Sequence, residues 1–296
     1  MNIEKNHIKI LGIPIDRVDF LTALRKIEGL MNTPGHHQIC TVNPEFIMHS
    51  MRDEVFRAAL VNSSLNTPDG IGVIWAAKFL NKKSKIKNKK FGSRFATLIA
   101  NLFWLKITLL AIIFNKKWLS SEFKERVTGI DLMWELCNRA QEHDWKIFLL
   151  GGQKGVSEKV AENIKAIYPK INIVGTYAGS PEPSRDNSRV VPTNDGPEDI
   201  IQHVAKTKPN ILFVAYGSPK GEKFIYQNLN KLNAKVVVGV GGSFDFIVGR
   251  AKRAPRIFQV LGIEWLFRFL QQPRRIGRII NAFPKFVWKV FVENTN

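Results

Sequence analysis

Cysteine is nearly missing: 296 residues hold two, Cys40 and Cys137, too few for a disulfide framework, which points to a reducing cytoplasm. Metal signals are also thin. No Asp-x-Asp occurs, and His7, His36, His37, His49, His143 and His203 show no ligand spacing with cysteines or carboxylates, so neither a metal nor a cofactor is expected. A dinucleotide fingerprint is missing too, because in GxGxxG register the third glycine after Gly239 falls on Phe244. The Walker spacing GxxxxGK[ST] does not occur. The N-terminus, Met-Asn-Ile-Glu-Lys-Asn-His, has no apolar core of signal-peptide type.

Acidic residues are scarce: 25 against 44 Lys and Arg, a net charge of +19. The imbalance is local. Residues 81–126 hold 12 basic and 2 acidic residues and residues 251–296 hold 9 and 2, so the rest is nearly neutral. Two basic segments seek a polyanion, either nucleic acid or an anionic membrane surface. Both are rich in large apolar residues, whereas nucleic-acid arms are polar, so the membrane is favoured and no specific nucleic acid is expected. Signals of known nucleic-acid modules do not occur.

Between these segments, apolar runs alternate with amphipathic ones. Ile8–Ile15 reads as a strand or hairpin; Gln38–Val42, Leu65–Thr67, Lys146–Leu150, Ile171–Gly175, Ile211–Ala215 and Lys235–Val240 read as strands. Helices are predicted over Val18–Met31, Glu45–Val61, Val73–Leu80, Gly129–His143, Val156–Ile167, Glu198–Lys206 and Glu222–Leu232, and a loop over Pro181–Pro197. The alternation specifies an α/β fold: a mostly parallel, Rossmann-like sheet with helices on both faces. Residues 1–80 and 127–250 are expected to form the α/β domain that carries the site, 81–126 a basic apolar, membrane-associating insertion, and 251–296 a basic helical C-terminal appendage. Ligands of such sheets bind at the carboxyl ends of the strands. The polar and glycine signals fall there: Thr41 and Asn43, Asp69, Gly151 and Gly152, Gly217, Gly241 and Gly242.

The motifs at those ends have bland readings as well as chemical ones. Thr41-Val-Asn43-Pro-Glu45 suits a helix cap, and Thr67-Pro-Asp69-Gly70 a turn. In Arg126-Val-Thr128-Gly-Ile-Asp131, Thr128 is a cap with Asp131 in the first turn. Gly151-Gly152-Gln-Lys-Gly155 opens a helix whose N–H groups can cradle phosphates. Val236-Val-Val-Gly-Val-Gly241-Gly242-Ser-Phe-Asp245 is a buried strand running into a glycine turn, with Ser243 or Asp245 opening the next helix.

The order GVGGSFDFIVG, Arg253-Ala-Pro, Gly262-Ile-Glu-Trp-Leu and Gln272-Pro-Arg-Arg resembles the C-terminal signature of the bacterial WecG/TagA/CpsF glycosyltransferase family. The resemblance implies transfer of a sugar from a UDP-sugar to a polyprenyl-diphosphate-linked acceptor on the cytoplasmic membrane face, in cell-surface polysaccharide synthesis. It gives Asp69 the role of catalytic base, with Thr41 and Asn43 orienting hydroxyls. Arg126, Arg274, Arg275 and Arg278 would meet a diphosphate, and Gly217 and Glu222 belong to its GSP-like strand-end motif. With no evident covalent nucleophile, a single base suits inversion. The chain departs from the family pattern at Gly221, in place of Gln, at Gly179-Ser180-Pro181, in place of Gly-Tyr-Phe, and at Gln272, in place of Glu. The competing reading is a basic nucleic-acid- or membrane-binding α/β protein without catalysis.

Residues 81–126 exceed the short linker that the resemblance implies. Phe95–Phe114 is 20 residues long with twelve Leu, Ile and Phe, enough to span a bilayer but for Lys106. A single span would put Asp69 and Arg126 on opposite sides of the membrane. The expectation is an in-plane or re-entrant anchor with Lys106 snorkelling; the alternative is a soluble helix pair that covers the core or makes a homo-oligomer. At the C-terminus, 257–270 and 276–291 read as helices, either closing the core or reaching the lipid-linked substrate. Truncation after Arg250 is then expected to leave a folded, inactive body.

Overall fold

A computed structural model describes residues 7–88, 94–179, 196–261, 264–271, 273, 277 and 281–293. A hairpin opens the chain: β1 (His7–Ile10) and β2 (Ile13–Asp16) pair antiparallel. Its two turn residues, Leu11 and Gly12, both have positive φ, as a two-residue primed turn requires. The main sheet has six strands: β3 (His37–Val42), β4 (Leu65–Pro68), β5 (Lys146–Gly151), β6 (Asn172–Tyr177), β7 (Ile211–Ala215) and β8 (Val236–Gly239). They lie in the order β4-β3-β8-β7-β5-β6 and every pairing is parallel. All six carboxyl ends therefore share one edge.

The apolar strand runs follow from cover on both faces. Ile147, Leu149, Ile211, Phe213, Val236 and Val238 point to a layer made by α1 (Phe20–Met31), α7 (Gly129–Glu142) and α8 (Val156–Ile167). Their alternate neighbours Phe148, Leu150, Leu212, Val214 and Val237 meet α9 (Pro197–Thr207) and α10 (Lys220–Asn228). A third cluster joins the hairpin, α2 (Pro44–Ser50), α3 (Glu54–Val61), α4 (Ile71–Asn88), α5 (Arg94–Phe114) and the short α6 (Lys116–Leu119).

Several predicted boundaries are corrected. The helix expected over Glu45–Val61 is two, because the Asp53 side chain accepts from Phe56 N at 2.9 Å and starts α3 afresh. α4 does not stop at Leu80 but runs through the lysines to Asn88, since lysine is a good helix former and no breaker intervenes. The strand predicted to end at Gly175 reaches Tyr177, and the helix predicted to start at Glu222 starts at Lys220. Residues 180–195, most of the predicted loop, lie outside the described residues, and Pro197 opens α9. The C-terminal segment holds α11 (Ser243–Ile247), α12 (Arg256–Leu261), α13 (Glu264–Gln271), a π-helical turn over Asn281–Lys285 and α14 (Phe286–Val292). Pro284, with no N–H to donate, stands inside that turn and interrupts the helix read over 276–291. Phe286 and Val290 are fully buried in the third cluster, so α14 completes the core.

Candidate active site

The edge of the sheet brings three separated motifs together. Asp69 N donates to Val42 O at 2.8 Å, tying the end of β4 to the end of β3. Val127 N donates to Pro68 O at 2.9 Å and Thr67 Oγ1 to Val127 O at 3.4 Å, which brings in the Arg126–Asp131 segment. Two glycines allow the closeness. A Cβ on Gly72 would sit 2.6 Å from Pro44 Cγ, and one on Gly129 would sit 3.3 Å from Thr41 Oγ1. Thr41 is buried and Asp69 half-buried at the rim. Asn43 caps α2, its Oδ1 accepting from Phe46 N at 3.0 Å.

On the next strands, Gly151 and Gly152 both have positive φ. A Cβ on Gly151 would lie 2.9 Å from the Ala215 carbonyl carbon, so the turn after β5 presses on the end of β7. α8 follows with Gly155 as its N-cap and no side-chain cap, leaving its positive end at the same edge. Gly217 and Gly241 also have positive φ, at the ends of β7 and β8. Gly242 precedes α11, and Asp245, in its first turn, accepts from Ala251 N through its carbonyl at 3.0 Å.

The arginines do something the sequence did not reveal. Arg126 reaches Glu264 Oε1 at 3.0 Å and Gln259 O at 2.7 Å, fastening α12 and α13 beside the motif that carries it. Arg253 donates to Asp131 Oδ2 at 2.7 Å, and the same oxygen accepts from Thr128 Oγ1 at 2.6 Å. Arg250 bonds the Gln153 side chain in the turn after β5. The chain after β8 is thus latched to two of the strand-end motifs. Arg274, Arg275 and Arg278 lie outside the described residues.

Glu222 is placed unlike a surface ligand: 2% exposed, with its Oε1 2.7 Å from where a Cβ on Gly239 would be. Gly239 therefore ends a run of valines because the carboxyl group fills its side-chain space, a signal the sequence carried without showing its cause. Burial pushes the carboxyl pKa up to about 7, Ser218 and the main chain offset part of this, and Glu45 adds to it. Glu222 Oε2 has no hydrogen-bond partner. Among the described residues no three His, Cys, Asp or Glu side chains gather as a metal-ligand group.

An edge that gathers a half-buried carboxylate, a buried hydroxyl, positive-φ glycine turns and the positive end of α8 is suited to a sugar bearing phosphate. The model of the glycosyl transferase WecG/TagA/CpsF family matches residues 8–103 and 110–296, nearly the whole chain. The chain belongs to this family. The match runs through most of the segment 81–126, with only 104–109 outside it. The chain is 27% identical over 283 residues to the N-acetylglucosaminyldiphosphoundecaprenol N-acetyl-beta-D-mannosaminyltransferase of Bacillus spizizenii, covering 94% of this chain and 90% of that one. It is 26% identical to the protein of that name from Staphylococcus aureus strain MRSA252, with coverage of 96% and 91%, and 28% identical to that of Bacillus subtilis strain 168, with coverage of 87% and 80%. The glycosyltransferase assignment predicted from the motifs holds, as does the parallel α/β fold.

Proposed function

We propose that this member of the family moves N-acetylmannosamine, or a close relative such as its uronic acid or a hexose, from a UDP-sugar to a polyprenyl-diphosphate-linked saccharide, with inversion. The observation that carries the reading is the convergence of Asp69, Thr41 and the 126–131 segment at one sheet edge, in a chain whose relatives are named N-acetylglucosaminyldiphosphoundecaprenol N-acetyl-beta-D-mannosaminyltransferases. Asp69 accepts the proton of the acceptor hydroxyl as its oxygen bonds to the anomeric carbon. The bond from that carbon to the diphosphate breaks on the opposite face, and UDP leaves with the electron pair. An α-linked donor then gives a β-linked product. The N–H groups around Gly151, Gly152 and the start of α8 hold the departing phosphates, with Gly217, Gly241, Gly242 and Asp245 lining the donor side. Arg274, Arg275 and Arg278 supply cationic charge to a diphosphate. The reaction takes place on the cytoplasmic face of the membrane.

Asp69→Asn tests the base. Turnover of a UDP-sugar with a lipid-linked acceptor should fall about 10²–10⁴-fold, the range for a lost general base, while UDP still raises the melting temperature. Full activity in that variant removes Asp69 from the chemistry. Stabilisation of the wild type by NAD or oligonucleotides and not by UDP would remove the transferase reading itself.

A further inference from the structure

We propose that the groove between α5 and the C-terminal π-helical turn holds the first isoprene units of the acceptor's polyprenyl tail; this rests on the transferase reading above and names where its lipid goes. The groove has a volume of about 350 Å³ and is lined by Leu102 and Leu105 of α5, Phe283 and Pro284 of the turn, and Val287 and Trp288 of α14, with almost no polar surface. That size lies within the roughly 300–1,000 Å³ of small-molecule clefts.

Three observations select a diphosphate-bearing isoprenoid as occupant. First, the groove shares an element with the surroundings of the site: the π-helical turn that lines it packs against α2, the helix that begins directly after Asn43. A chain lying in the groove is then separated by α2 from the edge that carries Asp69. Second, the charge is complementary. Residues 94–114 and 281–292 contain no Asp or Glu, and Lys106, Lys285 and Lys289 are exposed, each one residue from a lining position. Third, the groove is continuous with a larger apolar surface. Leu102 belongs both to it and to the exposed stripe of Phe95, Leu98, Ile99 and Phe103 on α5. A tail leaving the groove meets apolar side chains instead of water.

The test compares ligands that differ only in the tail. Calorimetric titration of the full chain with geranylgeranyl diphosphate and with inorganic diphosphate should show at least tenfold tighter binding of the first, with a negative heat-capacity change from apolar burial. Leu102→Gln combined with Trp288→Gln should abolish that preference and leave inorganic diphosphate binding unchanged. Both side chains are 47% and 62% exposed, so the pair should fold, as an unchanged melting temperature would verify. Equal affinity for the two ligands, or a preference that survives the double substitution, overturns the proposal. So does a variant that keeps the preference but no longer sediments with phosphatidylglycerol vesicles, since the groove would then be a contact with bulk lipid. Tail preference in a chain that turns over no UDP-sugar would overturn the transferase reading and leave the groove an isoprenoid-diphosphate site.

Discussion

Glu222 is the residue with the clearest consequence for pH. Its folded pKa of about 7 stands above the ordinary 4.5, chiefly through burial, with Glu45 adding to the rise. A carboxyl group raised in this way keeps in the folded state a proton that the unfolded chain releases. Its contribution to stability is full below the unfolded value and is lost as pH rises through about 7. At 1.36 kcal/mol per unit, the span is on the order of 3 kcal/mol. Glu222→Gln should therefore show a flatter fall in unfolding free energy from acid to neutral pH than the wild type; superimposable profiles would reject this account. Gly151 and Gly242 make a second, paired prediction. Alanine at Gly151, with φ +112 and the Ala215 main chain 2.9 Å from the new Cβ, should cost about 1–3 kcal/mol and weaken UDP binding. Alanine at Gly242, where nothing lies within 4 Å, should change stability by less than about 0.5 kcal/mol. Denaturant titration of both variants checks the contrast.

Among the elements, α5 depends on one polar contact inside an apolar seam. Trp75 Nε1 donates to Thr108 Oγ1 at 3.0 Å, Thr108 in turn donates to Trp104 O at 2.8 Å, and Thr108 is fully buried. Thr108→Val strands the indole N–H and should cost about 1–3 kcal/mol. Amide exchange over 94–114 should speed up in that variant and stay slow in Thr108→Ser; equal protection in both would show that the hydroxyl does not seat the helix. The same element shows what a sequence can tell. Strands were legible because runs such as Ile211–Ala215 are apolar on both faces, and the site motifs because polar residues at strand ends need no distant partner to be noticed. The break at Asp53 and the continuation of α4 through the lysines were not legible, since apolar periodicity ignores caps in one case and charge masks helix propensity in the other. Arg126 and Glu222 were found as residues but not as neighbours of Glu264 and Gly239, because those pairings join positions far apart in the chain.

At the scale of the molecule, β3 and β4 precede α5 while β5 to β8 follow it, and all six lie in one sheet. The chain on both sides of α5 therefore shares one side of any bilayer, which excludes a single span. α5 is also one continuous helix of 21 residues, so Phe95–Phe114 does not turn back on itself as a re-entrant loop would. Its C-terminal half seats Thr108, Ala111 and Ile112 in the core. The last helix of the C-terminal segment is also seated in the core. Truncation after Arg250 strips Phe286 and Val290 from Trp75 and its neighbours, at about 1.5–3 kcal/mol for each side chain. The shortened chain should melt well below the full one, instead of persisting as the folded body expected from the sequence. The first turns of α5 leave Phe95, Leu98, Ile99 and Phe103 exposed, and α5 follows the lysine-rich end of α4. Such a stripe should lie in the interface, below the headgroups, with the lysines of α4 on anionic lipid. Replacing those four residues with glutamine should reduce sedimentation with phosphatidylglycerol vesicles at least tenfold without lowering the melting temperature. In the wild type, rising salt should weaken only the lysine-dependent part of the binding, because screening acts on charge and not on apolar burial. Sedimentation unaffected by the four substitutions, at low and at high salt alike, would show that α5 is not the surface that meets the bilayer.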